Sequence, residues 1–357
     1  MSDTPNKTLI IIDGFNIEGK RGGTRTYVES LSTFLISQGY SLVKIPRSQH
    51  IKNSYSCLVR IKIDSMKMKI SPSVVTIAQR PDDLLMFKLF KKRNKSICVL
   101  HGDNLRKMFL KRNKLVANIY KIMEKQGLKV ADRIICVDES TYGIYVKRYP
   151  FIKSKSRVIP VGVNTAIFKP IDKQKCRQEL GIPQSSKVML VAARLEKEKN
   201  VEAVINLVKN HFDKQNHHLL IAGTGKEEQM LRELAGSIKN AKVKFLGQVL
   251  YKKLPEVISA SDVVLVTSLF ESGPLIIIEA MACGVPTVST NVGRANTYIA
   301  DTGCGAVTNV VDDKFAANVK LFLESNQTVK QKCIERVKLF SFHNTGVETI
   351  KLIEELR

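Results

Sequence analysis

The amino-acid sequence predicts an α/β protein with two doubly wound, Rossmann-like domains. Short apolar runs alternate with amphipathic stretches along the 357 residues, and this alternation pauses near residue 163 before it starts again near residue 187. Such alternation is typical of βα units, in which a helix returns the chain to begin the next parallel strand. The length also fits two domains of roughly 100–200 residues each. We therefore predict one domain at residues 1–163 and a second at residues 164–340.

The first domain is predicted to open with a strand, a glycine-rich loop and a helix. Residues 7–13 form an apolar run of strand length, and residues 24–37 have helical periodicity. Between them, Gly22 and Gly23 would let the backbone approach a phosphate closely. Further strands are predicted at residues 73–78, 97–100, 133–137 and 156–163, and one long helix at residues 104–126.

The second domain is predicted to follow a linker at residues 164–182, which contains Pro170. Ligands of open parallel sheets bind at the carboxyl ends of the strands, and a cleft between two such domains is the expected site. The predicted strands lie at residues 187–192, 218–222, 243–246, 263–267 and 287–289, and the predicted helices at residues 201–210 and 227–237.

The charge of the chain favours an anionic partner. Lys and Arg number 57 against 33 Asp and Glu, which gives a formal net charge of +24. Residues 1–163 carry 31 basic and 12 acidic residues, so most of the excess lies in the first domain. Phosphate, an acidic glycan, an anionic membrane or nucleic acid would suit it. Nucleic acid is the least favoured, because the chain has no Trp and only 6% aromatic residues for base stacking.

Basic and apolar residues interleave in two neighbouring segments, residues 85–95 and 105–115. A helix of this composition forms a solvated surface, docks on anionic lipid, or binds an acidic acceptor or nucleic acid, and the sequence leaves these alternatives open. The seven cysteines are scattered without a C-x-x-C pair, which favours reduced thiols in a cytoplasmic protein. No secretory signal or membrane-spanning run is expected.

Residues 270–290 (FESGPLIIIEAMACGVPTVST) carry the sharpest pattern in the sequence. They follow a predicted strand and place Glu271 and Glu279 eight residues apart. Gly273 and Pro274 mark a turn before a helix that begins at Leu275, and backbone N–H groups at such a start can bind an anion. A carboxylate about one turn into the helix can accept two hydrogen bonds from a vicinal diol such as that of ribose.

This segment, with its E-x7-E spacing, resembles the signature of the retaining glycosyltransferases of family 4. The resemblance covers most of residues 131–300, although Ser-Gly-Pro stands where the family commonly has Gly-Phe-Gly. It implies the GT-B fold, with two Rossmann-like domains facing each other across a cleft and a final helix, residues 341–357, that crosses back to the first domain. Other segments that resemble the family, in its order, are ADRIICVDES, VIPVGVNTAIFKP, VAARLEKEKN, LLIAGTGKEEQMLREL and VKFLGQV.

The resemblance implies transfer of a hexose from a GDP- or UDP-linked sugar to an acceptor hydroxyl on a glycan or lipid. By position, Glu271 and His101 match catalytic residues near the donor sugar, while Arg194 and Lys199 match the cations that stabilise the departing diphosphate. The implied nucleotide-sugar-binding residues are Gly22, Gly23, Arg194, Lys199, Gly223, Gly273, Pro274, Leu275 and Glu279.

No cofactor is expected beyond the donor substrate, and a divalent metal is not expected to be essential, because the chain lacks a D-x-D motif. Glu271 would stabilise positive charge at the anomeric carbon in a same-face substitution, or act as a nucleophile in a double displacement. A nucleotide-sugar epimerase on the same scaffold and a non-enzymatic polyanion binder remain alternatives. The base, the sugar, the acceptor and the oligomeric state stay open at this point.

Overall fold

A computed structural model of the chain describes residues 7–13, 23–46, 68–111, 113–271, 273–324 and 326–357. These residues divide into two compact units, one formed by the described residues up to Val161 together with Phe342–Arg357, and the other by Gly162–Ser341. Each unit contains one six-stranded sheet in which the paired strands run parallel. The predicted fold class, two Rossmann-like α/β domains, is confirmed.

The sheet of the first unit has the order β2-β1-β3-β4-β5-β6. Its direction of growth reverses between β1 and β3, which makes the carboxyl ends of these two strands a topological switch point. The strands are β1 (Thr8–Asp13), β2 (Ser41–Pro46), β3 (Val75–Ala78), β4 (Ser96–Leu100), β5 (Arg133–Cys136) and β6 (Ser156–Val158). The helices are α1 (Gly23–Ser37), α2 (Pro81–Lys88), α3 (Asn104–Lys111), α4 (Lys114–Val130) and α5 (Glu139–Arg148).

The sheet of the second unit has the order β12-β11-β10-β7-β8-β9, with its switch point between β7 and β10. The strands are β7 (Lys187–Ala192), β8 (His217–Ala222), β9 (Lys242–Gly247), β10 (Val263–Val266), β11 (Thr287–Thr290) and β12 (Gly305–Thr308). The helices are α6 (Lys173–Glu179), α7 (Val201–His211), α8 (Glu228–Ala235), α9 (Leu254–Ala260), α10 (Leu275–Ala282), α11 (Ala295–Ile299), α12 (Asp313–Leu323) and α13 (Gln327–Val337).

Helices cover both faces of each sheet, so the strands are apolar on both sides. In β1, Leu9 and Ile11 pack in one cluster with residues of α1, whereas Ile10 and Ile12 pack in another with residues of α2 and α4. All four side chains are buried, and each contributes about 1.5–3 kcal/mol of hydrophobic free energy. This double burial explains why the strands appear in the sequence as continuous apolar runs.

The last helix, α14 (Phe342–Glu354), packs on the first unit. Thr345 donates a hydrogen bond from its Oγ1 to the carbonyl oxygen of Pro160, at 2.7 Å. Gly346 lies against α1 so closely that a Cβ there would be 2.2 Å from Cδ1 of Phe34. A glycine at this position therefore sets how near the two helices approach.

Two predictions about single elements are wrong, and two strands are missed. The long helix predicted at residues 104–126 is two helices, because Asn113 caps a new one by accepting a hydrogen bond from the N–H of Val116 at 2.9 Å. The predicted linker contains α6, which Asp172 caps in the same way. Strands β2 and β12 were not predicted; both lie at sheet edges, where partial exposure interrupts the apolar run.

Candidate active site

The candidate site of the second unit lies at its switch point. Strands β7 and β10 are neighbours in the sheet although about 70 residues separate them in the chain. The loop after β7 ends in a 3-10 turn at Lys197–Lys199, and the loop after β10 leads to α10. Both loops start from carboxyl ends of parallel strands, where this architecture places its ligands.

Lys199 and Glu271 meet at this point. The Nζ atom of Lys199 lies 2.6 Å from Oε1 of Glu271, and the two side chains are only 15% and 18% exposed. Ser268 donates a hydrogen bond from its Oγ to the same carboxylate oxygen at 2.8 Å. The carboxylate is thus oriented by an ammonium and a hydroxyl, both acting on Oε1.

Hydrogen bonds between the two loops hold this pair in place. Thr267 donates from its Oγ1 to the carbonyl oxygens of Lys199 and Asn200, at 3.2 and 2.9 Å. The N–H of Leu269 donates to the carbonyl oxygen of Glu198 at 2.9 Å. Sequence reasoning missed Thr267 and Ser268, although two hydroxyl residues directly after a buried strand are a usable signal for a lined site.

Arg194 is placed on the same loop but differs from Lys199 in its surroundings. Its side chain is 53% exposed, and its guanidinium pairs with Glu198 at 3.1 Å and with Glu196 at 3.7 Å. The charge of Arg194 is therefore compensated by two glutamates of its own loop. Exposed pairs of this kind stabilise a fold by less than about 1 kcal/mol, so little opposes their exchange for a stronger anion.

Gly223 follows β8 and lies under the loop after β7. Its φ is +143°, and a Cβ at this position would be 1.8 Å from the carbonyl oxygen of Ala193. The N–H of Ala193 in turn donates to the carbonyl oxygen of Ala222 at 3.0 Å. The glycine is thus required for backbone-to-backbone packing that shapes the loop carrying Arg194.

Gly273, Pro274 and Leu275 lead into α10. Pro274 occupies the N-cap position and supplies no side-chain hydrogen bond to the first turn, while Leu275 is the first helical residue. Among the described residues, a Cβ at Gly273 would meet only the hydroxyl of Tyr298, at an ordinary 3.6 Å, so these residues leave space beside this backbone. A helix start whose N-cap residue supplies no side-chain hydrogen bond, with room beside it, is suited to an anion.

Glu279 lies within α10 and is only 7% exposed. Burial raises the pKa of its carboxyl to about 7, and a hydrogen bond with the side chain of Tyr251 lowers this pKa in part. Tyr251 belongs to the turn after β9 and also packs edge-on against Phe168. Sequence reasoning missed Tyr251, because nothing in the local pattern links this turn to α10.

His101 lies in the first unit, directly after β4. Its Nε2 is 2.8 Å from Oε1 of Gln79, which follows the neighbouring strand β3. The ring of Tyr27 packs edge-on against the imidazole ring, with 5.0 Å between the two ring centroids. Of the predicted glycines, Gly23 begins α1, the helix that carries Tyr27, whereas Gly22 lies outside the described residues.

The described residues include no group of three or more His, Cys, Asp or Glu side chains arranged to hold a metal ion. No helix in the described part of the chain has the length and apolar character needed to cross a bilayer.

The predicted basic stretch is only partly a surface. Lys88 is buried, and its Nζ lies 3.1 Å from Oδ2 of Asp132, so it supports the core and is not available to a partner. Leu115, Ile119 and Ile122 on α4 are exposed by 69, 38 and 63%. The side chains of Lys107, Lys111 and Arg112 lie outside the described residues.

Two family models match the chain. "Glycosyltransferase Family 4" matches residues 37–167, and "Glycosyl transferases group 1" matches residues 172–340. Together they account for more than four fifths of the sequence, and they meet close to the boundary between the two structural units.

Curated relatives and a solved structure agree with these models. A "Probable sucrose-phosphate synthase" of Thermosipho melanesiensis is 29% identical over 65% of this chain and 56% of its own length. A "UDP-Gal:alpha-D-GlcNAc-diphosphoundecaprenol alpha-1,3-galactosyltransferase" of Escherichia coli is 27% identical over 61% of each chain. The chain thus spans less than two thirds of these relatives. The sucrose-phosphate synthase structure from Thermosynechococcus elongatus has a TM-score of 0.80, with 20% identity and 98% coverage of both chains.

Proposed function

Because the chain belongs to glycosyltransferase family 4, we propose that it is a retaining glycosyltransferase that transfers a hexose from a nucleotide sugar to an acceptor hydroxyl. The observation that carries this proposal is the Lys199–Glu271 pair at the switch point of the second sheet. The largely buried carboxylate of Glu271 and the ammonium of Lys199 provide the negative and the positive charge that glycosyl transfer needs. The positive charge meets the departing diphosphate, and the negative charge meets the anomeric carbon.

We assign Lys199 and Arg194 to the diphosphate. As the bond between the anomeric carbon and the diphosphate oxygen breaks, negative charge grows on that oxygen, and a cation already in place lowers the energy of this state. Arg194 is the adaptable member, because its present partners are exposed glutamates on its own loop. Binding a diphosphate would exchange weak pairs for charge-assisted, bidentate ones.

We assign Glu271 to the donor sugar. Among the described residues, the ammonium of Lys199 and the hydroxyl of Ser268 both contact Oε1 of Glu271. We therefore assign the other carboxylate oxygen, Oε2, to the sugar. The role proposed for it is binding a sugar hydroxyl and stabilising positive charge at the anomeric centre. Double displacement would instead require Glu271 to bond covalently to that carbon as the bond to the diphosphate breaks, with the acceptor hydroxyl displacing the carboxylate later.

Glu279 and the start of α10 are proposed to hold the nucleotide. The carboxylate suits the two ribose hydroxyls, and the backbone at Gly273–Leu275 suits a phosphate. For the base, uracil is the first candidate, because the name of the Escherichia coli relative specifies UDP-Gal, and guanine is the second. The acceptor is proposed to be a hydroxyl on a glycan or lipid, and His101 is proposed to act at the donor sugar. No metal is assigned a role.

We also propose that α4 contacts anionic lipid. Leu115, Ile119 and Ile122 recur at spacings of four and three residues, which places them on one exposed face of the helix. Exposed lysines at positions 114, 121, 125 and 129 accompany this face. Apolar side chains that enter the headgroup region, with lysines beside anionic headgroups, are the features of a helix lying in the interface. A peripheral location at a membrane would bring the enzyme to a lipid-linked acceptor.

A thermal-shift panel tests the proposed function. UDP, GDP and ADP and their common sugar conjugates are added to the wild-type protein and to Arg194→Ala and Glu279→Ala. A ligand at 100 times its Kd should stabilise the fold by about 2.7 kcal/mol. We expect one base to raise the melting temperature of the wild type and to lose its effect in both variants. A nucleotide-sugar epimerase would respond in the same way but would interconvert the donor without an acceptor. No response to any nucleotide, with tight and salt-sensitive binding to a polyanion, would favour the binder instead.

A further inference from the structure

We propose that Gln79 is a positioning residue that fixes the tautomer of His101 and thereby makes the Nδ1 atom of His101 a hydrogen-bond acceptor. The proposal that this atom is then used in glycosyl transfer rests on the proposed function. The tautomer itself does not depend on it, so the two parts can be tested separately.

Strand pairing brings the two residues together. Gln79 directly follows β3 and His101 directly follows β4, and these strands are parallel neighbours with Ala78 paired to Cys98. Both side chains therefore lie at the carboxyl edge of the sheet, and β3 is one of the two strands of its switch point. Gly102, with a φ of +90°, turns the chain immediately after the histidine.

With the amide oxygen of Gln79 facing Nε2, the hydrogen bond between the side chains runs from Nε2–H to that oxygen. The atom of Gln79 that lies 2.8 Å from Nε2 is the amide oxygen, which can accept a proton but cannot donate one. The Nε2 atom must therefore carry the hydrogen. In a neutral imidazole with a protonated Nε2, Nδ1 has a lone pair and can only accept. The ring of Tyr27 packs edge-on against the imidazole, with 5.0 Å between the ring centroids.

Gln79 is buried, and the contact with His101 is the hydrogen bond that its side chain makes among the described residues. The side chain is only 1% exposed, and its Nε2 atom is buried with no hydrogen-bond partner among the described residues. A buried, unpaired amide donor is unfavourable, so a residue chosen for stability alone would be apolar. The gain that offsets this cost is the oxygen presented to the histidine.

The test uses the full chain with Gln79→Met, which keeps the length of the side chain but removes the acceptor, and Gln79→Glu, which keeps an acceptor. The matched control is Thr76→Val, because Thr76 is fully buried on the same strand with an unpaired Oγ1 among the described residues. Nitrogen-15 spectra of labelled histidine report which ring nitrogen carries the proton. They are recorded about two pH units above the ordinary imidazole pKa of about 6.5. The His101→Asn variant identifies the signal of this residue among the 6 histidines.

We expect the Nε2–H form of His101 in the wild type, in Gln79→Glu and in Thr76→Val, and a mixture of tautomers in Gln79→Met. The Nδ1–H form in the wild type, or an unchanged tautomer in Gln79→Met, would overturn the proposal. A Gln79→Met variant that melts at or above the wild-type temperature would show that its altered tautomer does not result from a loss of packing.

Kinetics test whether the acceptor nitrogen is used. With UDP-glucose as the probe, turnover should fall at least about tenfold in Gln79→Met, since a positioned acid–base group contributes about 10²–10⁴-fold. The KM should change little, and Gln79→Glu should restore turnover. An altered tautomer with normal turnover would overturn this use of Nδ1. If neither UDP-glucose nor any other nucleotide sugar is turned over by the wild type, the proposed function fails, while the spectra still decide the role of Gln79.

Discussion

The Nζ atom of Lys199 lies 2.6 Å from Oε1 of Glu271, in a position where two loops from non-consecutive strands meet. Each group compensates the charge of the other. A diphosphate would attract the ammonium, and a developing positive charge on a sugar would attract the carboxylate, so the same pair can serve both ends of the breaking bond. Two charged residues that are 72 positions apart in the chain form a largely buried ion pair through this contact.

We predict that Glu271→Ala lowers glycosyl transfer by several powers of ten, because removing one electrostatic stabiliser of a transition state costs about 10²–10³-fold and the loss of positioning adds to this. Nucleotide affinity should survive, since the carboxylate is assigned to the sugar. Transfer rates and nucleotide Kd values measure the two effects. The control is Glu202→Ala, an exposed glutamate in the first turn of α7. Collapse of nucleotide binding in Glu271→Ala would contradict the assigned role.

We predict that Lys199→Met weakens the binding of UDP or GDP and slows transfer by about 10²–10³-fold, because the cation facing the diphosphate is lost. Glu271 would also lose its ion-pair partner, so both ends of the reaction are affected. Titration calorimetry and initial rates provide the measurements. Lys197→Met is the matched control, since Lys197 lies in the same 3-10 turn but is exposed. Equal effects of the two substitutions would show that general loop charge, and not Lys199, matters.

We predict that stability falls as the pH rises through the range set by Glu279. Its pKa is about 7 in the folded protein and about 4.5 in the unfolded chain, so between these values the folded state binds more protons. Stability should therefore be highest below pH 4.5 as far as this group is concerned, and about 3 kcal/mol lower above pH 7. Glu279→Gln, which keeps an acceptor for Tyr251, should raise the melting temperature at pH 8 and not at pH 5. A gain that is equal at both pH values would disprove the link to titration.

We predict that Gly223→Ala destabilises the second unit by several kcal/mol, because its Cβ would overlap the carbonyl oxygen of Ala193 at 1.8 Å and its φ of +143° strains any other residue. Thermal and urea unfolding measure the change. Gly247→Ala offers a comparison, since Gly247 also has a positive φ, +63°, but no atom of the described residues lies within 4 Å of the added Cβ. That variant should lose only about 1–2 kcal/mol. Similar losses would mean that backbone conformation, and not close packing, makes Gly223 necessary.

We predict that the protein co-sediments with vesicles that contain anionic lipid, and not with neutral vesicles, at low salt. Leu115→Ser together with Ile122→Ser should reduce the bound fraction, because it removes the two most exposed apolar side chains of the α4 face. Leu321→Ser is a suitable control, as Leu321 is 64% exposed on α12 of the second unit. Equal recovery of the protein with anionic and neutral vesicles would contradict an electrostatic contribution to binding. Normal binding of the double variant would show that α4 is not the lipid-binding helix.

The sequence by itself determined the fold class and the segments that form the candidate site. Strands buried on both faces leave continuous apolar runs, and amphipathic helices leave a 3.6-residue period, so both are visible locally. The E-x7-E segment carries its own turn and helix start, which placed Glu271 in a loop and Glu279 within a helix.

Tertiary structure decided which side chains meet. Lys199 reaches Glu271 because β7 and β10 are neighbours, and Gln79 reaches His101 because β3 and β4 are neighbours, and strand order leaves no trace in local periodicity. The same holds for Tyr251 and Glu279. Lys88 is buried and pairs with the partly exposed Asp132, whereas Lys91 and Lys92 of the same stretch are less buried, a difference that tertiary packing decides. The physical reason is that the spacing of apolar residues shows which side of a helix or strand is buried. Which side chains contact each other depends instead on how segments distant in the chain pack together.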